Sequence, residues 1–184
     1  MALITRLTRI NWRIVGAAVA AMGVLHIITT LTIPALTPRN GYDLISKDLP
    51  LNQMHVLPPV TPGTQRLPFL AADARYALCR FDSTDGAVSV SAILPGPGWV
   101  LALYTPEGDN FFTTVARPGA SQTVSLLLMP TDERTPETSG PQEVILRVTA
   151  RRGLAMVRSP EQGLAYRVRN ISELKQARCG FRKR

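Results

Sequence analysis

Residues 76–104 read YALCRFDSTDGAVSVSAILPGPGWVLALY, three apolar runs with two turn-like segments between them. The middle run, at 88–94, alternates apolar and small residues with a period of two, as a strand with one buried face does. The segments at 83–86 and 95–98 consist of the Ser, Thr, Asp, Gly and Pro residues that favour turns. The stretch therefore predicts three consecutive strands.

The same pattern continues toward the C-terminus. Four further apolar runs, separated by polar or turn residues, lie at 111–115, 124–129, 144–149 and 154–157. Seven short strands at spacings of about 10 to 20 residues are typical of an antiparallel β-sandwich or barrel. We therefore predict a mainly β domain at 69–184, with the polar segment 130–142 as an exposed loop.

After the last strand the apolar spacing becomes helical. Ser159, Pro160 and Glu161 resemble a helix start, with a hydroxyl cap, a proline at the first position and an acid in the first turn. A short C-terminal helix would lay an apolar stripe on the sheet and direct basic residues toward solvent. The stripe consists of Leu164, Val168, Ile171 and Leu174, and the basic residues are Arg167, Arg169, Lys175 and Arg178.

At the other end of the chain, residues 14–33 contain no Lys, Arg, Asp or Glu. A helix of this length would be about 30 Å long, the thickness of the hydrocarbon core of a bilayer. Arg6, Arg9 and Arg13 precede it, and basic residues beside a span favour the cytoplasmic side. We therefore predict a basic amphipathic cytoplasmic segment at 1–13, a single-pass transmembrane helix at 14–33 of a bacterial inner membrane, and a periplasmic domain.

A cleaved signal peptide is the alternative explanation of this apolar run. Its core would be shorter, about 7 to 15 residues, and would end at a small-x-small cleavage site. Here the small residues lie inside the run, which ends in Ile-Ile-Thr-Thr-Leu-Thr-Ile-Pro at 27–34. We therefore expect the helix to be retained as an anchor.

Residues 34–68 contain seven prolines and predict a connector between the anchor and the β domain. A short helix at 41–48 and a short strand around 53–57 are the regular elements expected in it. We expect part of the connector to pack on the domain, because several apolar side chains would otherwise be left in water. These are Leu44, Leu49, Leu51, Met54 and Val56.

The two cysteines, Cys79 and Cys179, are predicted to form a disulfide, because lone pairs of cysteines in an oxidising compartment are usually bonded. Such a bond would close a loop of about 100 residues and stabilise the fold by about 4 to 5 kcal/mol in the chain-entropy description. Two buried thiols are the alternative.

The net charge of +8 is unevenly distributed: residues 147–184 carry a net charge of +9 and residues 35–146 a net charge of −4. Outside the cytoplasm, a basic end would meet lipid head groups, an anionic polymer or an acidic partner rather than nucleic acid. A solvated charged surface is the alternative. The candidate contact residues are Arg178, Arg182, Lys183 and Arg184.

Within the predicted span, small residues at Gly16, Ala20 and Gly23 share a face that would permit close approach of a second helix. His26 lies near this face. A neutral imidazole could bond a neighbouring helix, or it could handle protons as ionisable residues in membranes often do.

The sequence contains no recognised catalytic pattern. His26 and His55 have no further His, free Cys or spaced carboxylate nearby, so we predict no metal site and no cofactor. A serine-hydrolase elbow and a phosphate loop are also absent. A glycosidase needs two carboxylates that lie close together in the fold, and nothing in the sequence favours such a pair among Glu107, Asp109, Asp132 and Glu133. Because no catalytic motif is found, the sequence predicts a protein that is not an enzyme.

One family resemblance accompanies these patterns. Its most specific part lies between residues 76 and 112 and consists of the runs 76–82, 85–86, 99–104, 108 and 110–112. The chain resembles there the alphaproteobacterial membrane proteins of the domain of unknown function 1254. The resemblance implies a β-sandwich envelope protein with one membrane span, often encoded beside a protein of the related domain of unknown function 1214. It implies no established activity and no catalytic residues.

Three functions are compatible with these expectations. The first is an accessory or interaction subunit that binds another envelope protein and supports assembly or integrity of the cell envelope. The second is a tethered binding module for an anionic envelope polymer or lipid. The third is a hydrolase of unrecognised type.

Overall fold

The computed structural model describes residues 11–36, 41–61, 63, 67, 70–131 and 143–182. The chain divides into two compact units, Met1–Pro38 and Arg39–Arg184.

Within its described residues, the first unit contains one long apolar helix, α1 (Trp12–Leu36). Its segment Trp12–Ile33 has a mean hydropathy of 2.1 and is long and apolar enough to cross a membrane, as a signal sequence near an N-terminus also is. The hydroxyls of Thr29 and Thr30 donate to the carbonyls of Leu25 and His26, at 2.6 and 2.7 Å. These polar groups are therefore satisfied within the helix, as an apolar environment requires.

The described residues of the second unit form two helices and nine strands. The helices are α2 (Gly41–Ser46) and α3 (Leu164–Gln176). The strands are β1 (His55–Val56), β2 (Ala74–Asp82), β3 (Val88–Leu94), β4 (Val100–Tyr104), β5 (Asn110–Val115), β6 (Gln122–Pro130), β7 (Glu143–Val148), β8 (Arg152–Pro160) and β9 (Arg178–Phe181).

The strands form two sheets, one with the order β1-β2-β8-β4-β5 and one with the order β7-β6-β3-β9. The predicted β-sandwich with a short C-terminal helix is confirmed. One pairing differs from the antiparallel expectation, because β7 runs parallel to β6. Glu143 at the start of β7 lies beside Ser125, and Val148 at its end lies beside Pro130, the end of β6.

The main core lies between the inner faces of the two sheets. Strand β3 shows the alternation most clearly, because every second residue from Val88 to Leu94 is buried. The five-stranded sheet contributes Phe81, Leu101 and Leu103 to the same cluster, and β6 contributes Leu126 and Leu128. Each such side chain stabilises the fold by about 1.5–3 kcal/mol through removal of its surface from water.

A second, smaller core covers the outer face of the five-stranded sheet. Ile45, Leu49 and Leu57, from the proline-rich segment, pack there against Tyr76 and Leu78 of β2. Part of this segment therefore belongs to the domain in packing terms.

Only some of the apolar side chains of the proline-rich segment that were predicted to pack on the domain are buried. Leu49 is buried, and Met54 and Val56 are half-buried against the main core. Leu44 and Leu51 remain exposed.

A disulfide joins Cys79 of β2 to Cys179 of β9, with the two Cα atoms 6.4 Å apart and 100 residues apart in sequence. Because β2 belongs to one sheet and β9 to the other, the bond connects the two layers. The predicted pairing is present, and the loop that it closes has the predicted length.

The start of α3 differs from the prediction. Ser159 and Pro160 are the last residues of β8, where they pair with Arg75 and Ala74, and the helix begins only at Leu164. The reason is the strand itself: every second residue of β8 is buried up to Ser159, and a proline is tolerated at a strand end. Gly163, with a φ of 94°, then redirects the chain into the helix.

Candidate interaction surface

One side of α3 is firmly attached to the sandwich. Leu174 is 0% exposed and belongs to the main core. The side-chain amide of Asn170 donates to the carbonyl of Pro160 at 2.9 Å and is itself buried. The helix therefore has both an apolar and a polar attachment to the β domain.

An ion-pair network holds the N-terminal half of the helix. The Glu161 carboxylate accepts hydrogen bonds from the guanidinium groups of Arg75, at 2.6 Å, and Arg167, at 3.1 Å. The hydrogen bond from Arg75 is the largest cause that lowers the pKa of Glu161 below its ordinary value. The network therefore links β2, the segment after β8 and α3 through one ionised carboxylate.

These attachments leave two large apolar side chains of α3 in solvent. Leu164 is 76% exposed and Val168 is 79% exposed, although both were predicted to face the sheet. The prediction was wrong for these two residues because Arg167 and Asn170 fix the helix through its polar side. Of the predicted stripe only Leu174 is buried, and Ile171 is half-buried.

Leu164, Val168 and the half-buried Ile171 form a continuous strip along one side of the helix, since they are spaced by four and three residues. We call these three residues the apolar strip of α3. Contiguous exposed apolar surface, rather than single exposed side chains, marks interaction sites.

Basic side chains lie along the same helix and just beyond it. Arg169, Lys175 and Arg178 are exposed, as predicted. Arg167 was also predicted to face solvent, but its guanidinium is paired with Glu161.

The other candidate polyanion contacts have different surroundings. Arg182 forms an ion pair with Glu143 of β7, and its backbone N–H donates to the carbonyl of Ala87 at 3.0 Å. Arg182 therefore helps to fix the end of the chain to the four-stranded sheet. Lys183 and Arg184 lie outside the described residues.

The residues predicted to contact a second membrane helix are all exposed on α1. A Cβ atom added at Gly16 or Gly23 would meet nothing within 4 Å. Ala20 is exposed between them, and His26 follows on the helix. The surface of this part of α1 is therefore open to close approach by another helix, as the small residues predict.

The described residues contain no group of three or more His, Cys, Asp or Glu side chains that could hold a metal ion. Glu107 and Asp109 lie exposed around the turn between β4 and β5, and His55 is exposed in β1. Asp132 and Glu133 lie outside the described residues.

A shallow groove of about 370 Å³ lies beside the turns between strands. It is lined by Thr84, Pro106, Glu107, Ala150, Arg151 and Arg152. Arg152 donates to the Asp82 carboxylate at 2.9 Å, and the Thr84 hydroxyl donates to the same carboxylate at 2.5 Å. Burial alone would raise the pKa of Asp82, but these hydrogen bonds outweigh it and lower the pKa overall. A carboxylate with a lowered pKa is a weak base, so Asp82 acts here as a structural ion-pair partner.

Among the described residues, Tyr42 of α2 is the remaining group with a displaced pKa. Burial raises the pKa of its phenol, while the positive charges of Arg80 and Arg152 oppose the rise. The hydroxyl therefore stays protonated at neutral pH and serves no obvious role as a base.

The comparisons with known proteins bear on the fold alone. No protein-family model matches the chain, and no curated protein matches its sequence. The structure is similar to that of the VPA0106 protein from Vibrio parahaemolyticus, with a TM-score of 0.60 and 14% identity over 77% of this chain and 34% of that protein. An uncharacterised protein from Burkholderia cenocepacia matches with a TM-score of 0.40 and 15% identity over 62% of this chain and 32% of that one. The chain thus spans about a third of the length of these solved structures.

Sequence reasoning did not identify the apolar strip as exposed. Leu164 and Val168 stand at helical spacing from Leu174, and this spacing normally indicates burial. One feature of the sequence argued against the burial of Leu164 and Val168, namely that the polar residues Asn170 and Arg167 lie on the same side of the helix as Leu174. An amide and a guanidinium at those positions can be accommodated only where acceptors such as Pro160 and Glu161 are present.

Proposed function

We propose that the chain is a non-enzymatic accessory subunit of the cell envelope, anchored in the inner membrane by α1, whose β domain binds another envelope protein through the apolar strip of α3. The observation that carries the proposal is the exposure of Leu164 and Val168 on a helix that Leu174, Asn170 and the Glu161 ion pairs hold in place. A helix held in this way presents its apolar side chains without needing to refold, which lowers the cost of binding.

Two features support the proposed location. α1 has the length and composition of a membrane span, and a disulfide in a bacterial protein is typical of the periplasm. The arginines at 6, 9 and 13 favour a cytoplasmic N-terminus. A reporter that is active only in the periplasm should be active when it is fused after Arg184. Mass analysis of the purified protein should show that α1 has not been cleaved off. Activity of a cytoplasmic reporter at the same position would contradict the topology.

The partner is tested by crosslinking and co-purification of the full-length chain from native membranes. A protein of the domain of unknown function 1214 is the first candidate, because the family resemblance suggests it. The double variant Leu164→Ala, Val168→Ala should lose the partner while the melting temperature stays nearly unchanged. Val144→Ala removes a similarly exposed apolar side chain from β7 and is the matched control. If both variants retained the same partner, the strip would not be its binding site.

A second candidate function has a specific observation in its favour. Arg169, Lys175 and Arg178 are exposed beside the apolar strip, an arrangement that suits an anionic lipid surface or polymer. In this case binding to vesicles with anionic lipid should weaken steeply as salt is raised and should be lost in the triple Arg169→Gln, Lys175→Gln, Arg178→Gln variant. If this triple variant still co-purifies with the envelope protein, binding to a protein partner is favoured over binding to an anionic lipid or polymer.

A further inference from the structure

Strand β5 is an edge of the five-stranded sheet. Within the described part of the chain it pairs with β4 alone. Its sequence, NFFTTV, contains no charged residue and no proline. Natural sheets usually blunt such edges with charges, prolines or bulges that prevent another strand from pairing. In β5 a register shift leaves Phe111 without a partner in β4, so the regular part of the edge is Phe112–Val115.

The side chains of β5 divide between two faces. Phe112 packs against the main core. Phe111, Thr113 and Val115 lie on the other face, where Phe111 is 37% and Val115 is 55% exposed. The outer face of the edge strand is therefore apolar at both ends and carries a threonine at its centre.

The hydrogen-bond pattern shows which backbone groups point away from β4. The N–H of Ala116 donates to the carbonyl of Trp99 at 2.9 Å, and the next residue, Val115, lies opposite Val100. In an antiparallel pair, residues that bond the neighbour alternate with residues that point outward. Val115 and Thr113 therefore present their N–H and C=O groups to the open side of the edge, whereas the alternation is interrupted at Phe111.

Opposite charges flank the strand. Glu107 and Asp109 precede it and Arg117 follows it, and all three are exposed. Within the described ranges none of these three side chains forms an ion pair. An antiparallel strand of the same sequence would bring the acidic end of one copy beside the basic end of the other.

We propose that a second copy of this chain pairs with β5 in antiparallel fashion, so that two five-stranded sheets continue into one across a two-fold axis. In the register that satisfies both the outward backbone groups and the charges, Thr113 lies opposite Thr113 of the second copy. The acidic end of each strand then lies beside the basic end of the other, which brings Asp109 of one copy near Arg117 of the other, once at each end. A two-fold interface uses the same surface on both subunits, so every favourable pair occurs twice.

Cysteine crosslinking of the full-length chain in its membrane tests this register. Directly opposed residues of an antiparallel hydrogen-bonded pair have Cα atoms about 5.5 Å apart, within the range of about 4.4–6.8 Å for disulfides. Thr113→Cys should therefore give a disulfide-linked dimer on a non-reducing gel. Thr123→Cys places the same substitution at an exposed threonine of the other sheet, on β6 opposite Ile93, and should remain monomeric.

Charge reversal provides a second measurement. Asp109→Lys or Arg117→Glu alone should reduce the crosslinked fraction of Thr113→Cys on the order of tenfold, because both symmetry-related pairs change from attraction to repulsion. The two reversals together should restore it. Failure of Thr113→Cys to crosslink above the Thr123→Cys control, crosslinking to a different protein, or no recovery in the double reversal would each overturn the proposal. These outcomes are independent of the apolar strip of α3, since no residue of that strip is changed.

Discussion

The side chain of Asn52 pairs with the backbone of Asp82 as a strand would. Its Nδ2 donates to the carbonyl of Asp82 at 3.2 Å, and its Oδ1 accepts from the Asp82 N–H at 2.9 Å. The backbone N–H of Asn52 also donates to the carbonyl of Arg80 at 2.8 Å. The proline-rich segment thereby continues the hydrogen bonding of β2 beyond the short strand β1.

The substitution Asn52→Ala should destabilise the domain by about 1–3 kcal/mol, because it leaves buried backbone groups of Asp82 unpaired. It also places alanine at a φ of 52°, which asparagine tolerates better. Asn52→Gly separates the two effects, since glycine accepts the backbone conformation but also lacks the amide. Chemical denaturation should place Asn52→Gly between wild type and Asn52→Ala. Equal stability of all three proteins would show that the pairing is unimportant.

The two ends of α3 should respond differently to truncation. Leu174→Ala removes a fully buried side chain and should cost about 2–5 kcal/mol. Leu164→Ala removes a side chain that is largely in solvent and should change the free energy of unfolding by less than about 0.5 kcal/mol. Thermal melts of the two variants measure the difference. A loss of stability at Leu164 as large as that at Leu174 would indicate that the strip is covered within the chain.

Glu161 should make stability depend on pH in the acidic range. Its pKa is lowered in the folded state, chiefly by the hydrogen bond from Arg75, so the folded protein favours the ionised form. The contribution to stability is present above the ordinary pKa of a glutamate and is lost as the pH falls through the lower folded value. Wild type should therefore exceed Glu161→Gln in melting temperature at about pH 7, and the difference should shrink toward about pH 3.

Asp85→Asn, at an exposed turn residue, is the control for this comparison and should differ little from wild type at either pH. A gap between wild type and Glu161→Gln that stayed constant over the whole range would mean that the ion pairs do not stabilise the fold.

Gly153 of β8 has no room for a side chain. A Cβ atom there would overlap the carbonyl oxygen of Tyr104 and would lie 2.6 Å from the ring of Phe81. Gly153→Ala should therefore displace a buried aromatic ring and cost about 1–3 kcal/mol. Gly180 of β9 is the matched control, because its Cβ would approach only the Asn52 carbonyl, at 3.8 Å. Gly180→Ala should melt close to wild type, and similar melting of both variants would contradict the crowding at Gly153.

The sandwich was predictable because the strands carry a strong period-two signal. In Val88–Leu94 every second residue is buried, as the alternation predicts, and only Ile93 departs from it as an apolar residue at a half-buried position. The parallel pairing of β7 with β6 was not predictable, since the direction of a strand in its sheet depends on long-range pairing and not on the residues of the strand itself. The helix start was misplaced because Ser159 and Pro160 suit a strand end as well as a helix cap, and local sequence does not distinguish the two.

The candidate surfaces were less predictable than the fold. Hydrophobic spacing gave the apolar side of α3 but not its orientation, which depends on the distant acceptors Pro160 and Glu161. The position of β5 at the edge of its sheet was also not predictable, because strand order depends on long-range pairing that no local sequence pattern encodes.

The disulfide between Cys79 and Cys179 has a mechanical consequence. Only Ala177 and Arg178 separate Cys179 from the end of α3. If a partner pulled on α3 while the N-terminal part of the chain was held, tension would pass from β2 through the sulfur atoms directly to α3. The long stretch between Cys79 and α3 would carry almost none of the load. The bond therefore acts as a strain bypass, and its reduction would transfer the force to the strands of the sandwich.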